Sequence, residues 1–233
     1  MFNQPLFLQT LSRFAVALPA PYDVERVLSD LTENVTAILG LSGSGVIAVK
    51  DGRLSFVSAS GAPYETLERT QEQYQRGPCQ HAIDTDKPVA VTDVRREQHR
   101  WPEYAETARR LGVAGVAGVP MRVGDIVFGA LNVYGNTARE WSTEDLDVAA
   151  VLASVATGYI VNSSKVEQLQ QVNEQLQQAL SSRVLIEQAK GITAEHQGLP
   201  VGEAFLRMRH YARRNNAALR VVAESIIHDG LRV

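Results

Sequence analysis

Cysteine is nearly absent from this sequence: among 233 residues there is one, Cys79. A single cysteine excludes an intramolecular disulfide and a zinc site built from several cysteines. So few cysteines are typical of proteins from a reducing compartment. We therefore expect a cytoplasmic protein that holds no metal and no other cofactor.

Long apolar runs and targeting signals are missing as well. The sequence has no run of about 18 apolar residues, and its start, MFNQPLFLQT, lacks the basic segment and cleavage site of a signal peptide. We expect neither secretion nor membrane insertion. The enzyme signatures GxxxxGK[ST], HExxH, GxSxG and GxGxxG do not occur either. The sequence thus favours a protein that is not an enzyme.

Charge is distributed unevenly along the chain. The formal net charge is −3, but residues 183–233 carry eight Lys and Arg against five Asp and Glu, a net of +3. Residues 1–182 carry fifteen against twenty-one, a net of −6. A basic segment on an acidic chain usually meets an anion. We expect the C-terminal segment to bind nucleic acid.

Residues 21–160 follow the pattern of an α+β domain, preceded by an N-terminal segment, residues 1–20. An amphipathic helix is predicted over 22–39, and Asp51-Gly52 between two β-rich runs predicts a hairpin. The later predicted elements are a polar helix (64–76), a turn (77–79), one helical turn (80–84), a strand (88–94), a helix (103–111) and two strands around Gly124-Asp125. This order predicts an antiparallel sheet with helices packed on it.

A long helix follows, from a predicted N-cap at Ser142 to about Gln197. From Leu152 onward its residues follow the 3-4 spacing of the a/d seam of a left-handed coiled coil. Within the predicted linker helix, 161–182, the seam residues are Val166, Leu169, Asn173, Leu176 and Leu180. Because an Asn at an a position fixes register and favours two parallel strands, we predict a homodimer. Packing of this helix on its own domain is the alternative.

The C-terminal segment splits into three amphipathic helices, the last of which ends near Gly230. They are predicted over 182–197, 201–215 and 218–230. The expected core has Ile186, Ala189, Ile192 and Thr193 facing Ala204, Phe205, Met208 and Ala212, completed by Leu219, Val222, Ala223, Ile226 and Ile227.

Three phased motifs in residues 183–233 resemble the ANTAR domain. They are Arg183-x-x-Ile186-x-x-Ala189-Lys190-Gly191-Ile192, Glu203-Ala204-Phe205-x-x-Met208-Arg209-x-x-Ala212 and Leu219-x-x-Val222-Ala223. The chain departs from the family at Thr193-Ala194, where members commonly carry Leu-Met. The resemblance implies an RNA-binding module that grips tandem stem-loops in a nascent leader transcript and so prevents formation of a terminator.

The predicted RNA-binding residues combine positive charge, one ring and one open backbone position. They are Arg183, Ala189, Lys190, Gly191, Arg209, Tyr211, Ala212, Arg213, Arg214 and Arg220. The missing side chain of Gly191 lets a ligand approach the backbone closely. Arginines beside Tyr211 suit the phosphates and unstacked bases of an RNA loop. A basic face that is merely solvated is the alternative.

Residues 22–160 resemble a GAF domain, notably in Gly77-Pro78-Cys79, Val91-Thr92-Asp93-Val94 and Gly129-Ala130-Leu131-Asn132-Val133-Tyr134. The resemblance implies a sensor for a small-molecule or protein signal. Bilin-binding GAF domains usually have His directly after the Cys, whereas Gln80 separates Cys79 from His81 here. Cys79 is therefore expected to be a buried structural residue, with a redox-sensing thiol as the alternative.

Together these observations predict a GAF sensor joined by a coiled coil to an RNA-binding ANTAR domain that acts in transcription antitermination. Two other functions stay open. One is a DNA-binding transcription factor with a C-terminal helix-turn-helix, although Glu224 and Asp229 in the last helix are unfavourable for a recognition helix. The other is a sensor enzyme that uses Cys79. The sequence identifies neither the signal nor the target RNAs, and it leaves open whether the GAF domain itself dimerises.

Overall fold

The computed structural model describes residues 2–233 and divides the chain into two compact units, residues 1–164 and residues 165–233. The first unit combines strands and helices, and the second is helical. Helix α6 (Thr143–Gln197) contributes residues to both units. The α+β class, the single long helix and the C-terminal helices predicted from the sequence are confirmed.

The first unit is built on a five-stranded antiparallel sheet with the order β2-β1-β5-β4-β3. The strands are β1 (Gly43–Lys50), β2 (Arg53–Ala59), β3 (Val89–Val91), β4 (Gly115–Val123) and β5 (Ile126–Gly135). The predicted hairpin turn is present: Lys50 pairs with Arg53, and Asp51 and Gly52 have φ of 51° and 74°. Positive φ at both central residues is the geometry that matches strand twist in a two-residue hairpin.

Helices cover both faces of this sheet. The helices of the first unit are α1 (Gln4–Ala17), α2 (Val24–Leu39), α3 (Ala62–Tyr74), α4 (Pro78–Thr85), α5 (Pro102–Leu111) and the first part of α6, with a 3-10 turn at Val94–Arg96. Helices α1, α2 and α6 pack on one face, where Leu31, Leu131 and Leu152 are fully buried. Helices α3 to α5 cover the other face. Cover on both faces explains why six consecutive residues of β1, from Gly43 to Ala48, are buried.

Helix α1 lies in the segment to which the sequence assigned no element. Asn3 caps it by accepting a hydrogen bond from the Leu6 amide at 3.1 Å. The ring of Phe14 meets that of Tyr159 edge to face at 5.6 Å. The sequence did not predict this helix because apolar residues also occur on its exposed side, including Leu8 and Val16. Its apolar residues are therefore not confined to one face.

Helix α6 begins at a side-chain cap, as predicted. The Asp145 amide donates to Ser142 Oγ at 3.1 Å, and the Ser142 amide donates to Asp145 Oδ2 at 3.3 Å. This reciprocal pair is a capping box. The 3-4 pattern was wrong at its start: Leu152 and Tyr159 are buried in the core of the first unit, so they cannot belong to a seam with another chain.

By length and composition α6 could span a membrane. One 18-residue window has a mean hydropathy of 1.4, and 39% of that window is buried inside the structure. The buried apolar residues of its first part, Val148, Ala149, Leu152, Ala153 and Ala156, pack against the sheet. A core helix of a soluble protein passes the same test, so the window is weak evidence for a membrane span.

The second unit packs the end of α6 against α7 (Val201–Arg214) and α8 (Leu219–His228). Its buried apolar core consists of Ala189, Met208, Ala212, Val222, Ala223 and Ile226. Thr193 is buried as expected, but the placement of Ile192 in this core was wrong, because its side chain is 38% exposed. Gly198, with φ of 64°, ends α6 in the left-handed conformation that glycine favours.

Candidate nucleic-acid interface

Gly191 and Lys190 form the open part of α6 in the second unit. No atom lies within 4 Å of the position that a Cβ of Gly191 would take, so the backbone there is accessible. The Lys190 ammonium lies 2.8 Å from Glu187 Oε2 and 5.2 Å from the centroid of the Phe205 ring. Glu187 and Phe205 thus hold Lys190 beside the open backbone.

Helix α7 supplies two arginines to a cleft of about 510 Å³ at the junction with α8. Arg209 and Arg213, one turn apart, line it together with Asn216 and Leu219. The Arg209 guanidinium lies 5.8 Å from the centroid of the Phe205 ring. Among the ion pairs of the described residues, none involves Arg209 or Arg213. Both guanidinium groups are therefore available to an anion.

A second cleft, of about 450 Å³, lies on another side of α7. His210, Tyr211 and Arg214 line it with Leu206 and Arg207. Tyr211 is half-buried against the core of the unit, while Arg214 is exposed and takes part in no ion pair of the described chain. A ring beside a free guanidinium group, that of Arg214, can stack on a base and hold its phosphate.

The other predicted cations differ in how free they are. Arg220 pairs with Glu224 at 2.9 Å, which neutralises much of its charge along α8. Arg207, which was not predicted to bind RNA, donates to Gln197 Oε1 at 2.8 Å. Arg183 is exposed on α6. The accessible positive charge of this unit is thus concentrated on α7.

Two predicted RNA-binding residues, Ala189 and Ala212, are largely buried, although Ala212 also lines the cleft with Arg209 and Arg213. The side chains of Ala189 and Ala212 are buried in the three-helix core, where they face Met208 and Val222. Their small size lets the helices approach closely, so packing accounts for their motif positions. Burial makes direct contact between the Ala189 side chain and RNA unfavourable, and a binding role for these two residues stays a prediction.

The predicted seam residues of α6 lie on its surface in the single chain. Val166, Leu169, Leu176 and Leu180 are between 45% and 69% exposed, and Asn173 is exposed with them. Four aliphatic side chains at 3-4 spacing on an exposed helix are unusual for a helix that stays solvated. The arrangement leaves a continuous apolar stripe available to a partner helix.

Cys79 lies in the first unit, inside the fold. It is the second residue of α4 (Pro78–Thr85). The helix therefore begins within the predicted turn at 77–79 and is longer than the predicted helical turn at 80–84. The thiol is fully buried, and burial together with the nearby charge of Glu68 raises its pKa well above the usual value. A thiol that rarely ionises is a poor nucleophile, which supports the structural interpretation.

Glu68, next to Cys79, is the buried polar residue that sequence reasoning missed. Its side chain is fully buried between α3 and β5. Asn132 Nδ2 donates to both carboxylate oxygens, at 2.9 and 2.8 Å, and the Tyr134 hydroxyl donates to Oε1 at 2.8 Å. Gln71 Nε2 donates to Oε2 at 3.2 Å. Burial raises the pKa of Glu68 to about 7.

Two atoms in the same region have no hydrogen-bond partner among the described residues: the Tyr104 hydroxyl and Asn132 Oδ1. Gly45 of β1 makes space for the carboxylate, because a Cβ there would overlap the Glu68 side chain. The sequence contained one indication of this buried polar cluster. Tyr64, Leu67, Glu68 and Gln71 lie on the inner face of α3, and two of these four positions are an acid and an amide.

Solved structures share the fold of the first unit. A GAF domain from an Acinetobacter phosphoenolpyruvate-protein phosphotransferase aligns with a TM-score of 0.56 at 16% identity, covering 71% of this chain and 98% of that one. Free methionine-R-sulfoxide reductase from Neisseria meningitidis aligns at 0.54 and 16%, covering 71% and 97%. A phycoerythrobilin-bound GAF domain from a cyanobacterial phytochrome aligns at 0.53 and 15%, covering 69% and 97%. At such identities the likeness shows the fold alone.

Family models match both parts of the chain. The GAF domain model matches residues 22–161, and the ANTAR domain model matches residues 174–227. No curated protein matches the chain. The GAF match covers more than half of the residues, and the ANTAR match covers the helices that carry the open glycine and the free arginines. The chain therefore belongs to the GAF domain family, and with its ANTAR domain it has the architecture of an RNA-binding transcription antitermination regulator with a sensor domain.

Proposed function

We propose that the chain acts as a cytoplasmic homodimer whose two ANTAR domains bind tandem stem-loops in a nascent leader transcript and so prevent formation of a terminator. The observation that carries the proposal is the set of free arginines on α7: Arg209, Arg213 and Arg214 have no acidic partner in the described chain. The protein is proposed to act as a regulator without catalytic activity of its own and without membrane insertion.

Charge and shape on α7 support a contact with an RNA loop. The cleft with Arg209 and Arg213 fits phosphate oxygens, since guanidinium groups bind them in pairs of hydrogen bonds. The cleft with Tyr211 and Arg214 offers a ring face to an unpaired base. In this proposal Lys190 and Arg183 add long-range attraction, and Gly191 lets the loop approach α6.

The apolar stripe of α6 supports a dimer. An exposed seam of aliphatic residues with one Asn at an a position is stabilised when a second copy covers it, and the Asn pairs best in a parallel arrangement. We propose residues 161–182 as this coiled-coil linker between a GAF domain at 21–160 and an ANTAR domain at 183–233. Two ANTAR domains on one dimer make the second loop contact effectively intramolecular, which raises affinity for tandem sites.

Sequencing of RNA crosslinked to the full chain in cells tests the function directly. We expect enrichment of paired stem-loops upstream of terminators. A competition at fixed salt between a hairpin RNA and duplex DNA tests the alternative class. Preference for the duplex would replace this proposal with a helix-turn-helix transcription factor, although the pairing of Arg220 with Glu224 on α8 is unfavourable for base recognition.

A further inference from the structure

The interior of the GAF domain holds a carboxylate that no cation compensates. Glu68 is fully buried, and its three hydrogen-bond partners are amides and a hydroxyl, all neutral. A buried carboxylate without a cation is costly, and such a group relieves the cost by taking up a proton. The Glu68 carboxyl group can therefore be either ionised or protonated inside the core.

Every element around Glu68 presents neutral or acidic groups to it. The groups that hydrogen-bond to it or interact with its charge are Gln71 on α3, Cys79 on α4, Tyr104 on α5, and Asn132 and Tyr134 on β5. Asp84 on α4 adds a further acid that acts on Cys79. Within the part of the chain that the structure describes, none of these groups carries a positive charge.

The cluster provides hydrogen bonds for either state of the carboxyl group. The ionised form accepts from Asn132, Tyr134 and Gln71. The protonated form needs an acceptor for its O–H. A half-turn of the Asn132 amide would bring Oδ1, a buried atom without a partner, to the place where Nδ2 now contacts the carboxyl group. Unsatisfied buried polar atoms are rare and require an explanation. An amide that can turn to accept a hydrogen bond from the protonated carboxyl group supplies one for Asn132 Oδ1.

We propose that Glu68 is a proton-binding site and that the proton is a ligand of this sensor domain. Burial supports the assignment, because it raises the pKa of the Glu68 carboxyl group from 4.5 to about 7. Uptake of one proton converts the carboxylate to the acid and removes a negative charge from the contact between α3 and β5. The proposal is independent of the RNA that the chain binds.

Protonation is coupled to the stability of the GAF domain. The unfolded chain titrates near the ordinary value of 4.5 and the folded domain at about 7, so the folded domain binds more protons between these values. The contribution of Glu68 to stability is therefore greatest at low pH and is lost as pH rises from 4.5 through 7. The difference of 2.5 pKa units corresponds to an unfolding equilibrium constant that rises roughly 300-fold over the whole titration, from well below pH 4.5 to well above pH 7.

The test measures chemical unfolding of the full chain between pH 5 and pH 8. Tryptophan fluorescence isolates the first unit, because Trp101 and Trp141 both lie in it. The wild type should lose stability as pH rises. Glu68→Gln keeps the size and an acceptor oxygen but cannot ionise, so its stability should change much less with pH. Glu65→Gln is the control, since Glu65 is a half-exposed glutamate on the same helix, and its loss removes only a surface ion pair with Arg69.

A direct titration keeps the proposal testable if Glu68→Gln folds poorly. Infrared difference spectra of the wild-type chain with labelled glutamate should show a protonated carboxyl band that disappears with a midpoint near pH 7. The same band should persist in Glu65→Gln. Titration of every glutamate below pH 5, or an equal pH dependence of stability in the wild type and Glu68→Gln, would overturn the assignment.

Discussion

Gly191 lies inside a helix, where glycine is unfavourable, and in the proposed function its missing side chain serves RNA binding. Glycine inside a helix is about 1 kcal/mol less favourable than alanine. Neither packing nor backbone conformation requires glycine here, because no atom lies within 4 Å of the position of a Cβ on Gly191 and its backbone is helical. Lys190 beside it is held by Glu187 and Phe205, so a charge and an open backbone lie side by side.

Gly191→Ala separates stability from binding. We expect the free energy of unfolding to increase by up to about 1 kcal/mol, because the new methyl group meets nothing, while binding to the cognate hairpin weakens. Binding to an unrelated hairpin should fall less, since net charge is unchanged. Gly202→Ala in α7 is the control: its site is equally open, and it lies outside the AKG motif. Competition binding at fixed salt measures the ratio of the affinities for the two hairpins. An equal loss for both would remove the close-approach role of Gly191.

For Cys79 we predict the opposite: the side chain is dispensable for RNA binding. Cys79→Ala should lower the free energy of unfolding by roughly 1 kcal/mol, a typical core loss, and leave RNA binding intact. Cys79→Asp should prevent stable folding, because it buries a second carboxylate beside Glu68. Thermal unfolding and hairpin binding of both variants provide the check. A folded Cys79→Ala protein that no longer responds to oxidants would favour the redox interpretation.

Helix α6 passes through two environments in one continuous element. Its first part is buried against the sheet of the GAF domain, and its middle carries an exposed apolar stripe. The same 3-4 spacing runs through both parts, since packing on a sheet and packing on a partner helix need the same periodicity. Spacing alone therefore cannot tell where one environment ends, and this is why Leu152 and Tyr159 were placed in the seam.

The seam prediction concerns the middle of α6. Replacing Leu169 and Leu176 together by Glu should convert the dimer to monomer, because unpaired charges buried in a seam cost several kcal/mol. Gln168→Glu with Gln175→Glu is the matched control: the added charge and the spacing are equal, but these positions precede the seam by one residue. Sedimentation of both variants at several concentrations gives the answer. A charged-seam variant that stays fully dimeric would assign the interface to another surface.

The elements of the GAF domain were predictable where local signals were strong, as at Asp51-Gly52 and Ser142. The motif residues of the ANTAR domain were also recognisable, but some of them are buried in the core and others are exposed. Ala189 is buried in the core, Lys190 lies half-buried beside Phe205, and only Gly191 has an open position for a Cβ. A motif does not state which of its residues face a ligand. Glu68 was missed because its importance arises from side chains distant in sequence, on β5 and α5.

At the scale of the whole molecule, charge separates the two functions. The ANTAR segment is basic and the remainder is acidic, so RNA attraction is confined to one part of the chain. Confinement leaves the acidic sensor free of non-specific contact with RNA. Within the basic part, the arginines of α7 without acidic partners should dominate the salt dependence of binding.

Arg213→Gln tests that charge assignment. Losing one phosphate contact should weaken binding to cognate and unrelated hairpins alike and flatten the dependence of log affinity on log salt by about one unit. Arg76→Gln removes the same charge from the GAF domain, where Arg76 is exposed, and should leave the slope unchanged. Binding isotherms at four salt concentrations measure both slopes. Equal slopes for wild type and Arg213→Gln would place the phosphate contact elsewhere.

The overlap between Glu68 and any side chain at position 45 has an evolutionary consequence. The carboxylate occupies the space that a Cβ on Gly45 would need. A larger residue at 45 would displace the Glu68 carboxylate from its hydrogen bonds, so we expect it to occur together with a shorter or missing acid at 68. Across homologous sequences these two positions should change together, and a lineage with alanine at 45 should also have lost the proton-binding acid.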